Sequence, residues 1–357
     1  MIVIMESMSA AKMGRYGNTN NLTPFLDSLA ENAYSFDNIY SAGIHTFNGI
    51  YGTLFSYPAL FRQHPMKGVE MLKYNGIANT LKSYDYSTIY FTTHDGQFDN
   101  VEGFLTSNDF DEVITQADFP SDKIRSTLGV SDDYLFEFAI PKLNNLHKSK
   151  KPFLAAFMTA SDHGPYIIPK YFTPKNKEIK KQIVEYADWS LKKFIDLSSK
   201  QLWFENTIFV FVADHGASMN AIYEMPLNYH HTPLIIYNPN TSAKKIEEFG
   251  GQIDIFPTIM GLLNLEYTNN TMGIDLLKEK RPYIYFCADD KYGVIDDEFF
   301  LIVRGETKSL FKYRIGDKKN YMSEYKAIAD KMDEYAKSNM QTSQYILKNN
   351  LQVIKNQ

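Results

Sequence analysis

The sequence predicts an α/β architecture: a mostly parallel central sheet sandwiched by helices, then a small C-terminal antiparallel sheet and a terminal helix. Three observations lead there. Short, β-rich apolar runs alternate with amphipathic helical stretches over the first two thirds of the chain. Those runs are almost continuously hydrophobic, as strands covered on both faces are. After Arg281 the pattern changes to closely spaced strands separated by acidic turns.

The expected strands of the main sheet are "IVIM", "STIYFTT", "PFLAAFMTA", "TIFVFVA" and "PLIIY". Between them, "TPFLDSLAENA" predicts a helix with Thr23 as N-cap and Pro24 in the first turn, where a missing N–H costs nothing. "SDDYLFEFAIPKLNNLHK" opens with a serine and two acids that suit a helix N-terminus, and Pro141 is expected to kink it. A third helix follows, with Ile179, Ile183, Ala187, Leu191 and Phe194 on one face at spacings of three or four. "YIYFCADDKYGVIDDEFFLIVRG" and "LFKYRI" predict the antiparallel strands, and a polar helix is expected from about Met322. This divides the chain into a body over residues 1–280 and a small sheet plus helix over 281–357, packed on it as part of one domain.

Composition excludes several functions. A hydrophobic content of 44% is enough for a sizeable core, so most of the 25 Tyr and 25 Phe are expected inside it. A net charge of −5 without a basic run disfavours nucleic acid as a partner. The single cysteine, Cys287, sits in an apolar strand and has no partner for a disulfide. No stretch approaches the ~18–20 apolar residues of a membrane span. "MIVIMES" nevertheless starts directly inside a strand, so a preceding segment holding targeting information is expected.

Two strands run into groups that bind metals. "IVIMES" ends in Glu6, and "TIFVFVADHG" ends in Asp214 and His215. Ligands of open α/β sheets collect beyond the carboxyl ends of the strands, so both ends are expected to face one crevice. Two carboxylates and an imidazole suit one divalent cation of the Mn, Zn or Mg class. Each pattern alone is an ordinary turn; their combination points to a site.

Thr46, in "SAGIHTFNGIYGTLFSYP", precedes a short helix expected to begin at Phe47. Its ordinary role is a cap. Beside a cation its hydroxyl becomes a nucleophile, and the helix N–H groups would face a bound anion. His163, in "TASDHGPY", also follows a strand and could donate to an oxyanion or protonate a leaving alkoxide. "TTHDGQFDN" offers His94, Asp95, Asp99 and Asn100 as groove-lining residues. His230 and His231 are further candidates beside the site, His231 for substrate binding, but they precede a strand, which sets them at the opposite sheet edge unless that strand is antiparallel.

Set in order, "IVIMES", "HTFNGIYGTLFSYP", "YFTTHDGQFDNVEGFLTSNDFDEVI", "KPFLAAFMTASDHGPY", "WFENTIFVFVADHG", "HTPLIIYNP", "GGQIDIFPTIMGLLNL" and "MGIDLL" resemble lipoteichoic-acid-synthase-like proteins, the phosphoglycerol-transferase branch of the alkaline phosphatase and sulfatase superfamily. The resemblance runs from Ile2 to about Val303. It implies a large α/β domain with a small C-terminal sheet, borne outside the cytoplasm in the cell envelope on a membrane anchor. It implies Glu6, Thr46, Asp214 and His215 as ligands of one divalent ion, with manganese favoured over magnesium, zinc or calcium. It further implies Thr46 as nucleophile and His163 as the histidine at the phosphate or leaving group. The donor would be a phospholipid head group, and the acceptor a glycan or glycerol-phosphate hydroxyl, or water.

Lipoteichoic acid synthases carry a Trp and an Arg where this chain reads "QFDNVEG", with Asp99 and Val101 near those places. The arginine that would clamp a glycerol phosphate is therefore missing. A formylglycine sulfatase is excluded by the threonine, which cannot be converted to that aldehyde. A phosphoethanolamine transferase, a phosphodiesterase or phosphatase of the same superfamily, and an inactive protein that binds head groups or glycans remain as alternatives.

Overall fold

The computed structural model describes residues 1–61, 63–68, 71–219 and 221–353. In chain order its elements begin with β1 (Ile2–Met5), α1 (Pro24–Glu31), β2 (Tyr34–Tyr40), α2 (Thr46–Phe55), α3 (Ile77–Lys82) and β3 (Ser87–Thr92). There follow α4 (Val101–Ser107), β4 (Glu112–Ile114), α5 (Asp132–Lys148), β5 (Phe153–Met158), α6 (Ile179–Ser198) and β6 (Phe209–Ala213). Then come α7 (Leu227–His230), β7 (His231–Tyr237), β8 (Lys244–Gly251) and α8 (Ile255–Leu263). The chain closes with β9 (Ile284–Cys287), β10 (Tyr292–Ile295), β11 (Phe300–Arg304), β12 (Thr307–Phe311) and α9 (Lys326–Lys348).

Two compact units interleave along the chain: residues 1–36, 78–213 and 233–246 form the first, and 37–77, 214–232 and 247–357 the second. The first holds most of an eight-stranded sheet in the order β4-β3-β5-β1-β6-β7-β2-β8. β1 runs parallel to β5 and β6, and β3 parallel to β4 and β5, while β7 is antiparallel to β6. Successive residues alternate between faces, and both faces are buried. Val3, Phe91, Phe157 and Phe211 join one core with Leu26 of α1, Phe136 of α5 and Phe194 of α6. Ile4, Tyr90, Met158 and Val212 point the other way and are buried too. Near-continuous hydrophobicity in these strands has that cause.

The second unit holds the four-stranded sheet β12-β11-β10-β9, antiparallel throughout. Val294, Leu301 and Leu310 pack with Ala329, Met332 and Ala336 of α9. Cys287 is free and buried among them, and burial pushes its thiol up to about 12. No described helix is long and apolar enough to cross a membrane.

Three strands, β2, β4 and β8, escaped the periodicity reading. "YSFDNIY" and "KKIEEFGG" mix charged residues into the last two strands of the sheet, where several side chains are only partly buried, and β4 has only three residues. Thr23 stands at the N-cap of α1 but makes no capping bond, and its hydroxyl donates to Asp27 instead. The first-turn amides of Phe25 and Leu26 are capped by the carboxylate of Asp188 from α6, at 2.9 Å each. On α6, Ile183, Ala187, Leu191 and Phe194 are buried as expected, whereas Ile179 lies exposed in the first turn.

Candidate metal centre and nucleophile

The sheet register sets the first two candidate ligands. Met5 of β1 lies beside Ala213 of β6, so the next residue of each strand, Glu6 and Asp214, leaves the sheet at the same edge. Glu6, Asp214 and His215 are all buried, and each offers a ligand atom within 4.8 Å of the others. The two carboxylates need compensation there, because a buried charge without a counter-charge is costly.

The ring of His215 is held in one orientation. Its Nδ1 lies 2.7 Å from the Gly216 carbonyl oxygen, a partner that can only accept, so Nδ1 bears the proton and Nε2 the lone pair. That Nε2 lies 3.3 Å from Asp214 Oδ2. A lone pair and a carboxylate oxygen at this distance repel unless a cation or a proton lies near both. The donor set fits one divalent cation.

Thr46 is not the cap of its helix. His45 occupies the N-cap position, with its backbone N–H donating to Asn48 Oδ1 at 3.3 Å, and Thr46 is the first helical residue, half-exposed. Gly49, three residues on and so on the same helix face, is where α2 meets Asp214. A Cβ built on Gly49 would lie 2.5 Å from both the Cα and the carbonyl oxygen of Asp214. Only glycine lets the first turn of α2 come this near. Gln252, fully buried, binds the same backbone: its Nε2 donates to the Asp214 carbonyl at 2.6 Å, and its Oε1 accepts from Ala42 N at 2.7 Å.

Around Thr46 the aromatic rings of His45, Phe47 and His64 stack in sequence. A cavity of about 550 Å³ opens in the same unit, lined by Asn48, Tyr51, His64, Tyr74, Gln344 and Lys348 among others. Its volume falls within the ~300–1,000 Å³ of ligand pockets.

His163 is exposed on the loop after β5, and its Nδ1 lies 2.6 Å from the Gly164 carbonyl. In both Asp-His-Gly turns the ring thus meets the following glycine carbonyl through Nδ1. Asp132, at the start of α5, accepts from the amides of Ala160 and Ser161 and braces this loop. Burial raises its pKa, against those hydrogen bonds.

Of the other expected residues, His94 is buried, stacked on Phe98, with Nδ1 near the Thr92 hydroxyl. Asp95 is exposed and accepts from Gln97 N in a turn, and Asp99 and Asn100 both have left-handed backbones leading into α4. β7 is antiparallel, so His230 and His231 do reach the carboxyl edge of the parallel strands. His231 is occupied there: its Nε2 donates to the Asp37 carbonyl at 2.7 Å, and its ring stacks on Tyr40. His230 is fully buried with Nδ1 at 3.2 Å from Ser41 Oγ. Burial holds it down at about 3, so it is neutral. Gly49, Gln252 and Asp132 had no signal in the sequence, since their roles depend on partners far along the chain.

The chain is similar to the lipoteichoic acid synthase-like YvgJ of Bacillus subtilis, 26% identical over 79% of this chain and 50% of its own length. Lipoteichoic acid synthase 2 of the same organism is 23% identical over 84% of this chain and 50% of its own. The chain spans about half the length of these relatives. Among solved structures, a protein in the alkaline phosphatase superfamily from Vibrio parahaemolyticus superposes with a TM-score of 0.87 at 24% identity, over 99% of this chain and 88% of that one. The lipoteichoic acid synthase LtaP of Listeria monocytogenes gives 0.81 at 22%, over 98% and 91%. These likenesses establish an alkaline phosphatase-like fold. The sulfatase family model matches residues 1–265, and the chain belongs to the sulfatase family.

Proposed function

We propose that this chain is the catalytic part of a metal-dependent phosphotransferase. It moves a phosphoglycerol or related head group from a phospholipid to an acceptor hydroxyl through a covalent Thr46 intermediate. The observation that carries this reading is the meeting of the Glu6, Asp214 and His215 ligand atoms within 4.8 Å. The Gly49 contact that seats the first turn of α2 on Asp214 supports it. The similarity to lipoteichoic acid synthase-like proteins favours phosphodiester over sulfate-ester chemistry.

A divalent cation held by Glu6, Asp214, His215 and the Thr46 oxygen, manganese by preference, would favour the alkoxide and neutralise phosphoryl oxygens. Thr46 Oγ1, as the alkoxide, attacks phosphorus, and the bond from phosphorus to the diacylglycerol oxygen breaks. Protonated His163 gives its proton to that leaving oxygen. Neutral His163 then takes the proton of the acceptor hydroxyl, whose oxygen forms the new bond to phosphorus as the Thr46 alkoxide leaves. The N–H groups of the first turn of α2 face the equatorial oxygens, where charge resides in phosphoryl transfer. The cavity beginning at Asn48 gives room for the head group or acceptor. This reading assigns the domain to the cell envelope, outside the cytoplasm, on a membrane-anchored protein.

Intact-mass measurement of the Mn²⁺-loaded protein with phosphatidylglycerol tests it. A glycerol phosphate adduct mapping to Thr46, absent from Thr46→Ala, is expected. A phosphoethanolamine adduct from phosphatidylethanolamine alone would change the donor. No adduct and no lipid turnover, with Mn²⁺ bound, would leave a head-group-binding protein.

A further inference from the structure

Lys12 was not singled out by any sequence pattern, yet it is buried in the first unit between two functional loops. Its Nζ donates to the Ser7 carbonyl at 2.8 Å and forms an ion pair with Asp162, both side chains less than a tenth exposed. Ser7 and Asp162 are the neighbours of Glu6 and His163. The chain of contacts continues on the Glu6 side, where Ser7 Oγ donates to Glu6 Oε1 at 2.7 Å. On the other side Asp162 leads directly into His163, whose ring is tied down by the Gly164 carbonyl.

Ser7 and Asp162 share a second property. Each has a left-handed backbone, with φ of 52° and 81° respectively, which side chains other than glycine seldom adopt. Such conformations persist where the surroundings over-determine them, and they cluster at functional sites. Lys12 is bound to both. The strand ends nearby are stitched independently of it: Thr159 N donates to the Ile4 carbonyl at 3.1 Å, and Glu6 N to Thr159 Oγ1 at 3.0 Å. Backbone pairing therefore fixes where the loops start, and Lys12 fixes how they turn.

We infer that Lys12 is a positioning residue, setting the Glu6 carboxylate and the His163 imidazole relative to one another through Ser7 and Asp162. A lysine suits the task because one compact ammonium offers three donors. Its removal would take this ammonium away from the buried Asp162 carboxylate. The inference rests on the reading of Glu6 as a metal ligand and of His163 as the proton-transfer group.

Two readouts that do not depend on turnover test it in the full chain: Mn²⁺ affinity, from the paramagnetic resonance of free Mn²⁺, and the ¹⁵N-coupled imidazole signals of His163, assigned with His163→Gln. In folded Lys12→Met, Mn²⁺ binding is expected to weaken about 10- to 100-fold, and the His163 signals to move. A change in neither, or in one alone, overturns the coupling. If Lys12→Met does not fold, Asp162→Asn takes its place. Asp162 lies on the histidine side, so weaker Mn²⁺ binding in that variant supports the link through Lys12, and unchanged binding overturns it. Glu6→Gln separates this inference from the reading beneath it. Unchanged Mn²⁺ affinity there removes Glu6 as a ligand and overturns both. Weakened binding in Glu6→Gln, with none in Lys12→Met, overturns only the Lys12 inference.

Discussion

Gly49 lies against Asp214 so closely that any β-carbon at position 49 would sit 2.5 Å from the Asp214 backbone. Backbone atoms cannot swing aside as the end of a side chain can, so the helix would have to move. Gly49→Ala is expected to lower stability by about 1–3 kcal/mol and head-group transfer at least tenfold. Gly52→Ala, where the nearest atoms are side-chain atoms 3.2 Å away, is expected to be milder on both counts. Thermal unfolding and single-turnover adduct formation measure the pair.

Thr46→Ala is expected to abolish the covalent adduct with no more than a small change in melting temperature, since Thr46 is half-exposed and does not cap its helix. Thr46→Ser, which keeps the hydroxyl, is expected to form the adduct more slowly. A Thr46→Ala protein that transferred at the wild-type rate would falsify the mechanism.

Chelation tests the Glu6, Asp214 and His215 cluster without any substrate. Treatment with EDTA is expected to lower the melting temperature and Mn²⁺ to restore it, because a ligand bound only by the folded state adds to its stability. Asp214→Asn is expected to remove most of the Mn²⁺ response. A melting temperature indifferent to both treatments in the wild type would count against the centre.

Gln252 satisfies two buried backbone groups at once, the Asp214 carbonyl and the Ala42 amide. Gln252→Leu removes both bonds, at about 1–3 kcal/mol each. Urea unfolding is expected to show a loss of about 2–6 kcal/mol, well beyond that of an exposed glutamine such as Gln97.

Asp188 gives a pH dependence with a definite sign. Burial raises its carboxyl to about 7, against the two amide hydrogen bonds from α1. Between the unfolded value near 3.8 and about 7 the folded state holds the extra proton. Stability from this group is therefore fully present below pH 3.8 and is lost as pH rises through 7, with a slope of at most about 1.4 kcal/mol per pH unit. Stability curves of wild type and Asp188→Asn at pH 5 and pH 8 measure it. The wild type is expected to lose more than the variant between those values.

The sequence by itself determined the sheet and the polar residues at its edge. Strands buried on both faces must be apolar throughout, so β1, β3, β5, β6 and β7 were legible from composition alone. Glu6, Asp214, His215 and His163 stood out because a polar group ending such a run has left the core. Tertiary structure decided what the short-range pattern cannot encode. It set Met5 beside Ala213, bringing Glu6 and Asp214 to one edge. It gave the amides of α1 to Asp188 in place of Thr23, and made His45 the residue before the helix that Thr46 begins. It turned His231 towards the Asp37 carbonyl, and it bound Lys12 to residues 5 and 150 positions away. Periodicity records which face of an element is buried; the identity of the partner across that face depends on chain distant in sequence, and only the folded molecule brings the two together.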